Sequence, residues 1–497
     1  MFLEMTMRRN PALIDAAVRL HRAGEIPSNA YVIDADAVTR NAGALAAAAR
    51  DEGLVLYQMT KQFGRNPLLA RAIAATGMGA VAVDLDEARV LHASGVPVRH
   101  LGHLVQLPRR RIAEALAMEP DEVTVFGLEQ ARAISAVSAR SGRRQALLVR
   151  VVGPRDLLFP HQRGGVALAD LVEVAGAIDA LPGVRLAGVT SFPCLLFDER
   201  SLRVEATPNL HTVAEAGARL REAGFDAPVV NAPSVSCVAT LPVLRAAGAT
   251  HAEPGSALIG NTPLHAEDET ATEVPAMVYV TEVSHVDGAA AYAIGGGLYP
   301  RSRMREALVW TAGGRVRVAA EAEDAASIDY YGTLRSPEAR AFRPGDTVVY
   351  AFRSQVFVSR SFVAVVGGVG EDPAVLGLFD SRGNQLGEDL LPLGAAAQEV
   401  TPVMSLSRRI VITNPDGLHA RPAARLAEEA RRFEAELSIA HAGRSGSCKS
   451  TIALMRLGLC RGTEIELHAE GPDAEAAIGR LAELLEELAG EERAACA

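Results

Sequence analysis

The sequence predicts a mixed α/β chain: a (β/α)8 barrel, then an all-β domain, and a small C-terminal α+β sandwich. Three observations carry this. Between about Leu54 and Gly260, short β-branched runs alternate with Ala/Leu/Arg-rich stretches of helical length, the pattern of parallel strands with crossover helices. From about Val274, strand-like runs succeed one another across turn residues with little helical pattern. After a small-residue stretch, strand and helix patterns mix again to the end of the chain. The expected boundaries are residues 1–268 for the barrel, 269–392 for the β domain, 393–406 for a linker and 407–497 for the terminal module. At 497 residues the chain exceeds one ordinary core, which agrees with several domains.

The barrel candidates are "LVLYQMT", "AVAVD", "VRHLG", "EVTVF", "ALLVRVV", "RLAGVT", "APVVNA" and "THAEPGSALIG". Eight such units close a barrel whose chemistry sits on loops at the C-terminal ends of the strands. Lys61 falls just past the first strand, "SFPC" past the sixth, "NAPSVSC" past the seventh and "EPGS" at the eighth. An open doubly wound sheet fits less well, because no Gly-rich strand–turn–helix opens the segment. In the β domain, "AMVYVTEVSHV", "AAAYAIGG", "RVRVAAE", "DTVVYAF" and "QVFVSRSFVAVVG" read as strands, ending near Leu390. "LPLGAAAQEVTPVMSLS" is the linker. "RRIVITNP", a helix from His419, "AELSIAHA", a helix near Thr451, "TEIELHA" and a helix from Asp473 complete the terminal module.

Composition excludes several functions. Net charge is −10 with basic residues spread throughout, so no electrostatic footprint for nucleic acid exists. No apolar run reaches the roughly 18–20 residues that cross a bilayer. The opening "MFLEMTMRRNPALIDAAVRL" does not read as a secretory leader. Cys194, Cys237, Cys448, Cys460 and Cys496 are scattered and odd in number, as expected of free thiols in a reducing cytoplasm. No Cys-x-x-Cys or His-x-x-x-His pair proposes a metal, so none is expected.

Of 50 Lys+Arg, only Lys61 and Lys449 are lysine. Arginine has replaced lysine almost wherever positive charge alone is needed. An amine can lose its proton and form a Schiff base with a carbonyl, whereas guanidinium stays protonated. At a barrel-strand end, Lys61 is therefore a Schiff-base candidate, for an aldolase or for pyridoxal 5′-phosphate (PLP). PLP needs a phosphate cradle of backbone N–H groups and hydroxyls. Gly255 and Ser256 offer one at the eighth strand, Ser234 and Ser236 at the seventh, and Arg65 lies close behind Lys61.

On these residues, about Pro27 to Val366 resembles the fold-type III PLP enzymes, the alanine racemase-like barrels. "IPSNAYVIDADAVTRNAGAL" is similar to their entry segment, with Asp34 and Asn41 in place, and "MTKQFGRNP" resembles most closely the YhfX-like subgroup. The resemblance implies that Lys61 carries PLP and that Gly255, Ser256, Ser234 and Ser236 hold its phosphate. Arg65 stands where racemases place a phosphate-touching tyrosine. Glu253, in "EPG", stands where the family approaches the pyridine nitrogen. Alanine racemases have Arg there and the amino-acid decarboxylases Glu. A carboxylate favours the protonated pyridinium, a stronger electron sink. Racemases also place a ring-stacking His after the sixth strand; "GVTSFPC" has none, and Phe192 or His161 are the substitutes. The His-x-Cys or His-x-Asp metal pair of the D-serine dehydratase and D-threonine aldolase relatives is absent from "YAFRSQVFVSRS". Six of the eight tyrosines lie between Tyr279 and Tyr350, and Tyr299 or the Tyr330–Tyr331 pair are candidates for a second acid/base. The family implies a homodimer and a small-molecule amine substrate.

"NPDGLHARPAARLAEEA" resembles the active-site segment of HPr, the histidine phosphocarrier of the bacterial phosphoenolpyruvate-dependent phosphotransferase system, over about Ser407 to Glu491. His419 at a helix start meets free N–H groups and the helix dipole, which favour a phosphoryl group. Gly417 permits the entry turn, Pro422 suits the first helical turn and Arg421 offsets developing charge. "CKSTIALMRLGL" resembles the family's regulatory segment, with Ser450 at the phosphoserine position. Ile452, Leu454, Met455 and Leu457 are candidates for a docking patch. The implied partner is Enzyme I, with other phosphotransferase proteins. The combined reading is a PLP-dependent enzyme acting on an amino acid or related amine, joined to a phosphocarrier. The alternative is a PLP- or ligand-binding regulator without turnover, controlled by phosphorylation of its terminal domain. A third is a metal-free Schiff-base aldolase.

Overall fold

A computed structural model of the chain describes residues 1–300, 302–337, 339–393, 405–471 and 473–495. It divides into two compact units, Met1–Leu393 and Gly394–Ala497. The expected eight barrel strands are present. They are Val55–Leu56 with Gln58–Met59, then Ala80–Ala82, Val98–Leu101, Glu122–Val125, Gln145–Val152, Val184–Thr190, Val229–Asn231 and His251–Ala252. All neighbours are parallel, and the eighth pairs back onto the first through His251 with Val55 and Ala252 with Leu56. The first strand is broken at Tyr57: its first half pairs with the eighth strand, its second half with the second. The eighth is short because "SALI" leaves the sheet as a 3-10 helix, Ser256–Ile259. Gly188 lets the sixth and seventh strands meet, since a Cβ there would overlap the Val229 backbone.

Helix Ala35–Glu52 shows how locally this is encoded. Asp34 accepts from the backbone N–H groups of Asp36 and Ala37, at 3.0 and 2.9 Å, and Gly53 ends the helix at φ 65°. Between those caps, Ala37, Val38, Leu45 and Ala49 face the core.

Behind the barrel, Met277–Asp287, Ala290–Ile294, Tyr331–Arg335, Gly314–Ala320, Glu306–Thr311 and Thr347–Tyr350 form a closed antiparallel barrel. Closure follows because Met277–Asp287 pairs with both Ala290–Ile294 and Thr347–Tyr350. Phe362–Gly367 and Ala374–Asp380 extend the sheet. One sequence expectation changes here. Residues 1–268 were expected in the (β/α)8 barrel, but Ala30–Asp34 lies in the β domain's sheet, between Met277–Asp287 and Phe362–Gly367. Helices Phe2–Arg9 and Pro11–Arg22 pack on that sheet through Leu3, Leu13, Ile14 and Leu20. "AYVID" is buried at every position, so its uninterrupted apolar run carries no sign of which sheet it joins. Glu306–Thr311, Tyr331–Arg335 and Ala374–Asp380 were not anticipated, whereas "QVFVS" is largely a 3-10 turn, Val356–Val358. Of the expected linker, residues 394–404 lie outside the described residues.

The second unit is an antiparallel sheet in the order Ser405–Val411, Glu464–Glu470, Glu436–His441, Arg444–Ser447. Helices Ala420–Ala430, Thr451–Arg456 and Ala474–Ala495 accompany it. Its own core includes Leu426, Leu437, Leu467 and Leu481. Among the described residues no helix is long and apolar enough to cross a membrane. Cys194, Cys237 and Cys448 are buried free thiols and Cys460 an exposed one; Cys496 lies outside the described residues.

Candidate active site

Lys61 sits in the 3-10 turn Thr60–Phe63 that follows the first barrel strand. The turn is pinned on both sides. Thr60 Oγ1 donates to Glu87 Oε1 at 2.5 Å, and Ser354 Oγ donates to the Gln62 carbonyl at 3.1 Å. Burial pushes the Lys61 ammonium pKa down; Glu87, Glu253 and Asp84 oppose this and Arg353 adds to it. The result is an amine nearer its neutral, nucleophilic form than a solvated lysine.

Glu253, at the end of the eighth strand, has a side chain only 1% exposed. His100 Nδ1–H donates to its Oε1 at 2.7 Å, because an ionised carboxylate can only accept. Asn231 Nδ2 donates to the same oxygen at 2.8 Å. Burial alone would raise this carboxyl; the imidazoles of His103 and His100 and the Asn231 amide outweigh it and hold the pKa down to about 2. Thr124 Oγ1 lies 2.6 Å from His100 Nε2 and fixes the ring from behind. Glu253 Oε2 has no hydrogen-bond partner; it faces His103 Nδ1 at 3.4 Å. By ligand type His100, His103 and Glu253 could hold a metal ion. The 2.7 Å between His100 Nδ1 and Glu253 Oε1 is a hydrogen bond, however, and ligands sharing one tetrahedral ion stand about 3.3 Å apart.

The other expected residues divide. Ser236 is buried and its Oγ accepts from the Glu253 backbone N–H at 3.3 Å, so the seventh and eighth strand ends are joined there. Ser234, at φ 100°, turns its hydroxyl to the Leu195 carbonyl at 2.7 Å. Gly255 approaches Gln62 so closely that a Cβ would lie 2.5 Å from Gln62 Oε1, an oxygen without a partner. Ser256 opens the 3-10 turn beside it. Arg65 Nη2 pairs with Asp84 Oδ2 at 3.0 Å, and its guanidinium lies 5.9 Å from the Phe357 ring centroid, the same distance as Lys61 Nζ. Tyr299 OH donates to the Arg353 carbonyl at 2.6 Å. Tyr330 and Tyr331 are exposed, against Arg360 and His285 respectively.

Of the two substitutes for a stacking histidine, His161 is exposed. Phe192 meets His103 edge to face, with ring centroids 5.6 Å apart. His103, from the loop after the third strand, was missed by sequence reading, as were His100, Asn231, Glu87 and Arg150. Their signal is a polar residue inside an otherwise apolar barrel run, as in "VRHLGHL" and "LLVRVV".

In the second unit His419 is the exposed N-cap of helix Ala420–Ala430, and its own carbonyl accepts from Ala423 N–H at 3.0 Å. Gly417, at φ 72°, is crowded against the Leu459 carbonyl where any Cβ would overlap. Arg421 is exposed in the same first turn. Ser450 caps helix Thr451–Arg456, accepting from Ala453 N–H at 3.3 Å. Ile452 and Met455 are exposed at 69% and 47%, while Leu454 and Leu457 are buried, so only the first two form an outward patch.

Barrel, strand-end lysine and trailing β domain together define an alanine racemase-like protein. The profile described as "Alanine racemase, N-terminal domain" matches residues 33–263, and "YhfX-like, C-terminal domain" matches 278–376. The protein YhfX of Escherichia coli (strain K12) is 44% identical over 391 residues, which is 78% of this chain and the whole of that one. The chain therefore belongs to the YhfX family, here with an HPr domain attached. "PTS HPr component phosphorylation site" matches residues 406–487. The phosphocarrier protein HPr of Vibrio cholerae is 41% identical over 81 residues, 16% of this chain and 95% of that protein. Among solved structures, D-threonine aldolase from Filomicrobium marinum has a TM-score of 0.54 at 18% identity, covering 71% of this chain and 95% of its own. D-threo-3-hydroxyaspartate dehydratase from Delftia sp. HT23 has 0.52 at 19%, covering 70% and 96%. These two likenesses establish the fold.

Proposed function

We propose that the first unit is a PLP-dependent enzyme acting on an amino acid or related amine, with Lys61 as the residue that holds the cofactor. The observation that carries this is the pairing of a partly buried lysine of lowered pKa with a deeply buried, ionised Glu253 at the mouth of the same barrel. The residues present fit the group. Glu253 Oε2 is a buried acceptor without a partner, as a protonated pyridine nitrogen requires, and Gly255 lets the strand-end backbone come closer to Gln62 than any side chain would allow. Glu253 would accept from the pyridine nitrogen. Gly255, Ser256 and Ser236 are the phosphate-side candidates, with Ser234 holding the loop to Leu195. Arg65, paired with Asp84, would support the cradle from the side. PLP supplies an electron sink for charge developing next to the substrate nitrogen. This chain supplies the amine at Lys61, the carboxylate at Glu253 held by His100 and Asn231, and edge-on packing from His103 and Phe192. Tyr299, fixed to the backbone of Arg353, is the candidate for a second proton carrier. A homodimer in the cytoplasm completes the reading.

The second unit would accept a phosphoryl group on His419 from Enzyme I, with Arg421 beside it and Ser450 as a regulatory site. Two experiments test the whole. PLP added to the purified chain is expected to produce visible absorbance that Lys61→Ala abolishes; no absorbance with the wild type rejects the first half. Phosphoenolpyruvate and Enzyme I are expected to give acid-labile labelling. Labelling that persists in His419→Ala rejects His419 as the acceptor.

A further inference from the structure

Arg150 lies on the fifth barrel strand, and its side chain is among the largest fully buried ones, with the residue 2% exposed. Of its three guanidinium nitrogens only Nη2 has a partner, the Gln162 carbonyl at 2.7 Å; Nε and Nη1 have none. Among the described residues no carboxylate is within ion-pair distance. The acid that attracts it, Asp156, is engaged elsewhere, accepting from Gly153 N–H at 2.8 Å and from Thr212 Oγ1 at 2.6 Å. The guanidinium stacks on the face of Phe126, 4.9 Å from the ring centroid. A loop closes over it at Gly165, where a Cβ would come within 2.8 Å of the Arg150 carbonyl.

A guanidinium does not lose its charge in a protein, and an uncompensated buried charge is strongly unfavourable. Evolution of a stable chain would sooner replace it with an apolar residue unless an anion completes the pair. The arginine also lies at the level of the candidate active site: it is in register with Thr190 of the sixth strand, whose Oγ1 accepts from Asn231 Nδ2 at 3.2 Å, the amide that donates to Glu253. Both its charge and that of Lys61 act on His103, the imidazole beside Phe192 and Glu253.

We propose that Arg150 is the receptor for a carboxylate of the substrate, so that the enzyme takes amino acids rather than simple amines. This rests on the reading of Lys61 as the amine-binding centre. Planar donors facing a planar acceptor suit a carboxylate. The reacting nitrogen would then be directed to Lys61 and the carboxylate to the fifth strand.

The test has two arms on the full chain. Without PLP, thermal unfolding followed by the single tryptophan, Trp310, is measured in sodium acetate and in sodium chloride at equal ionic strength. The wild type is expected to unfold at a higher temperature in acetate, and Arg150→Met to show no such difference. An equal response in the two proteins, or none in the wild type, overturns the proposal even if the PLP reading stands. With PLP, visible absorbance is titrated with amino acids and with the amines that lack only their carboxyl. The half-saturating amino-acid concentration is expected to rise about 30-fold in Arg150→Met, the size of one charged hydrogen-bonded pair, with the matched amines unchanged. A comparable loss of affinity for PLP itself would assign Arg150 to the cofactor phosphate and overturn the proposal. If PLP leaves no absorbance in either protein, the reading of Lys61 fails and the acetate arm alone decides whether Arg150 is a carboxylate receptor.

Discussion

Replacing His103 with Gln is expected to remove an acid-labile element from the barrel. The imidazole is 2% exposed, and burial pushes its pKa from the usual value of 6.5 down to about 3, against the pull of Glu253. Between those two values the unfolded chain binds a proton that the folded chain refuses. Stability therefore falls as pH drops below 6.5. At pH 7.5 the effect is negligible; at pH 5.0, about 1.5 units below the unfolded value, it is about 2 kcal/mol at 1.36 kcal/mol per unit. Urea unfolding at the two pH values, read by fluorescence, measures it. Trp310 is the sole tryptophan and lies on strand Glu306–Thr311 of the first unit, so its signal belongs to the unit that contains His103. The wild type should lose about 2 kcal/mol more than His103→Gln between pH 7.5 and 5.0. Equal losses in the two proteins would refute the reasoning, because His103 would then carry its proton in both folded and unfolded chains.

Three further outcomes are expected. Thr60→Val strands the buried Glu87 Oε1, destabilises the first unit by about 1–3 kcal/mol and weakens PLP binding by loosening the Lys61 turn; urea unfolding and PLP titration measure the two. Gly417→Ala forces a Cβ against the Leu459 carbonyl at positive φ, which should cost the second unit roughly 1–3 kcal/mol in calorimetry while the Trp310 transition stays in place. Ser450→Ala removes the cap on Ala453 N–H and should lower the stability of that unit by about 1 kcal/mol without abolishing labelling of His419.

How much of this was legible depended on whether the chemistry was local. The HPr segment is continuous in sequence: His419, its glycine turn and its helix all lie within one short run, and the capping geometry follows from neighbours. Lys61 was legible for a different reason. A chain that writes nearly all its cations as arginine leaves its lysines conspicuous, and strand periodicity then placed this one at a barrel end. Glu253 could be found because "EPG" is compact. His100, Asn231 and Arg150 could not be assigned, because each belongs to a different strand and gains its meaning only when the barrel closes. Ala30–Asp34 failed for a related reason, since a strand buried on both faces has no alternation to say which sheet receives it.

The same contrast separates the two basic residues at the barrel mouth. Lys61 is useful there because burial makes its proton easier to lose, while Glu87, Glu253 and Asp84 limit that effect. An arginine in its place would keep its charge and could not act as a nucleophile. Arg150 is the converse. Its charge persists in a site where two of its nitrogens have no partner, so it can be a constant receptor but not a proton carrier. Glu253 then needs neither residue to stay ionised, because His100 and Asn231 donate to it directly. The arrangement keeps three roles on three strands: a titratable amine on the first, a fixed cation on the fifth and a fixed anion on the eighth. Removing Arg150 should leave Glu253 ionised and Lys61 titratable, which allows the Lys61 and Arg150 experiments to be read independently; Glu253 is coupled to Lys61, whose proton it helps hold.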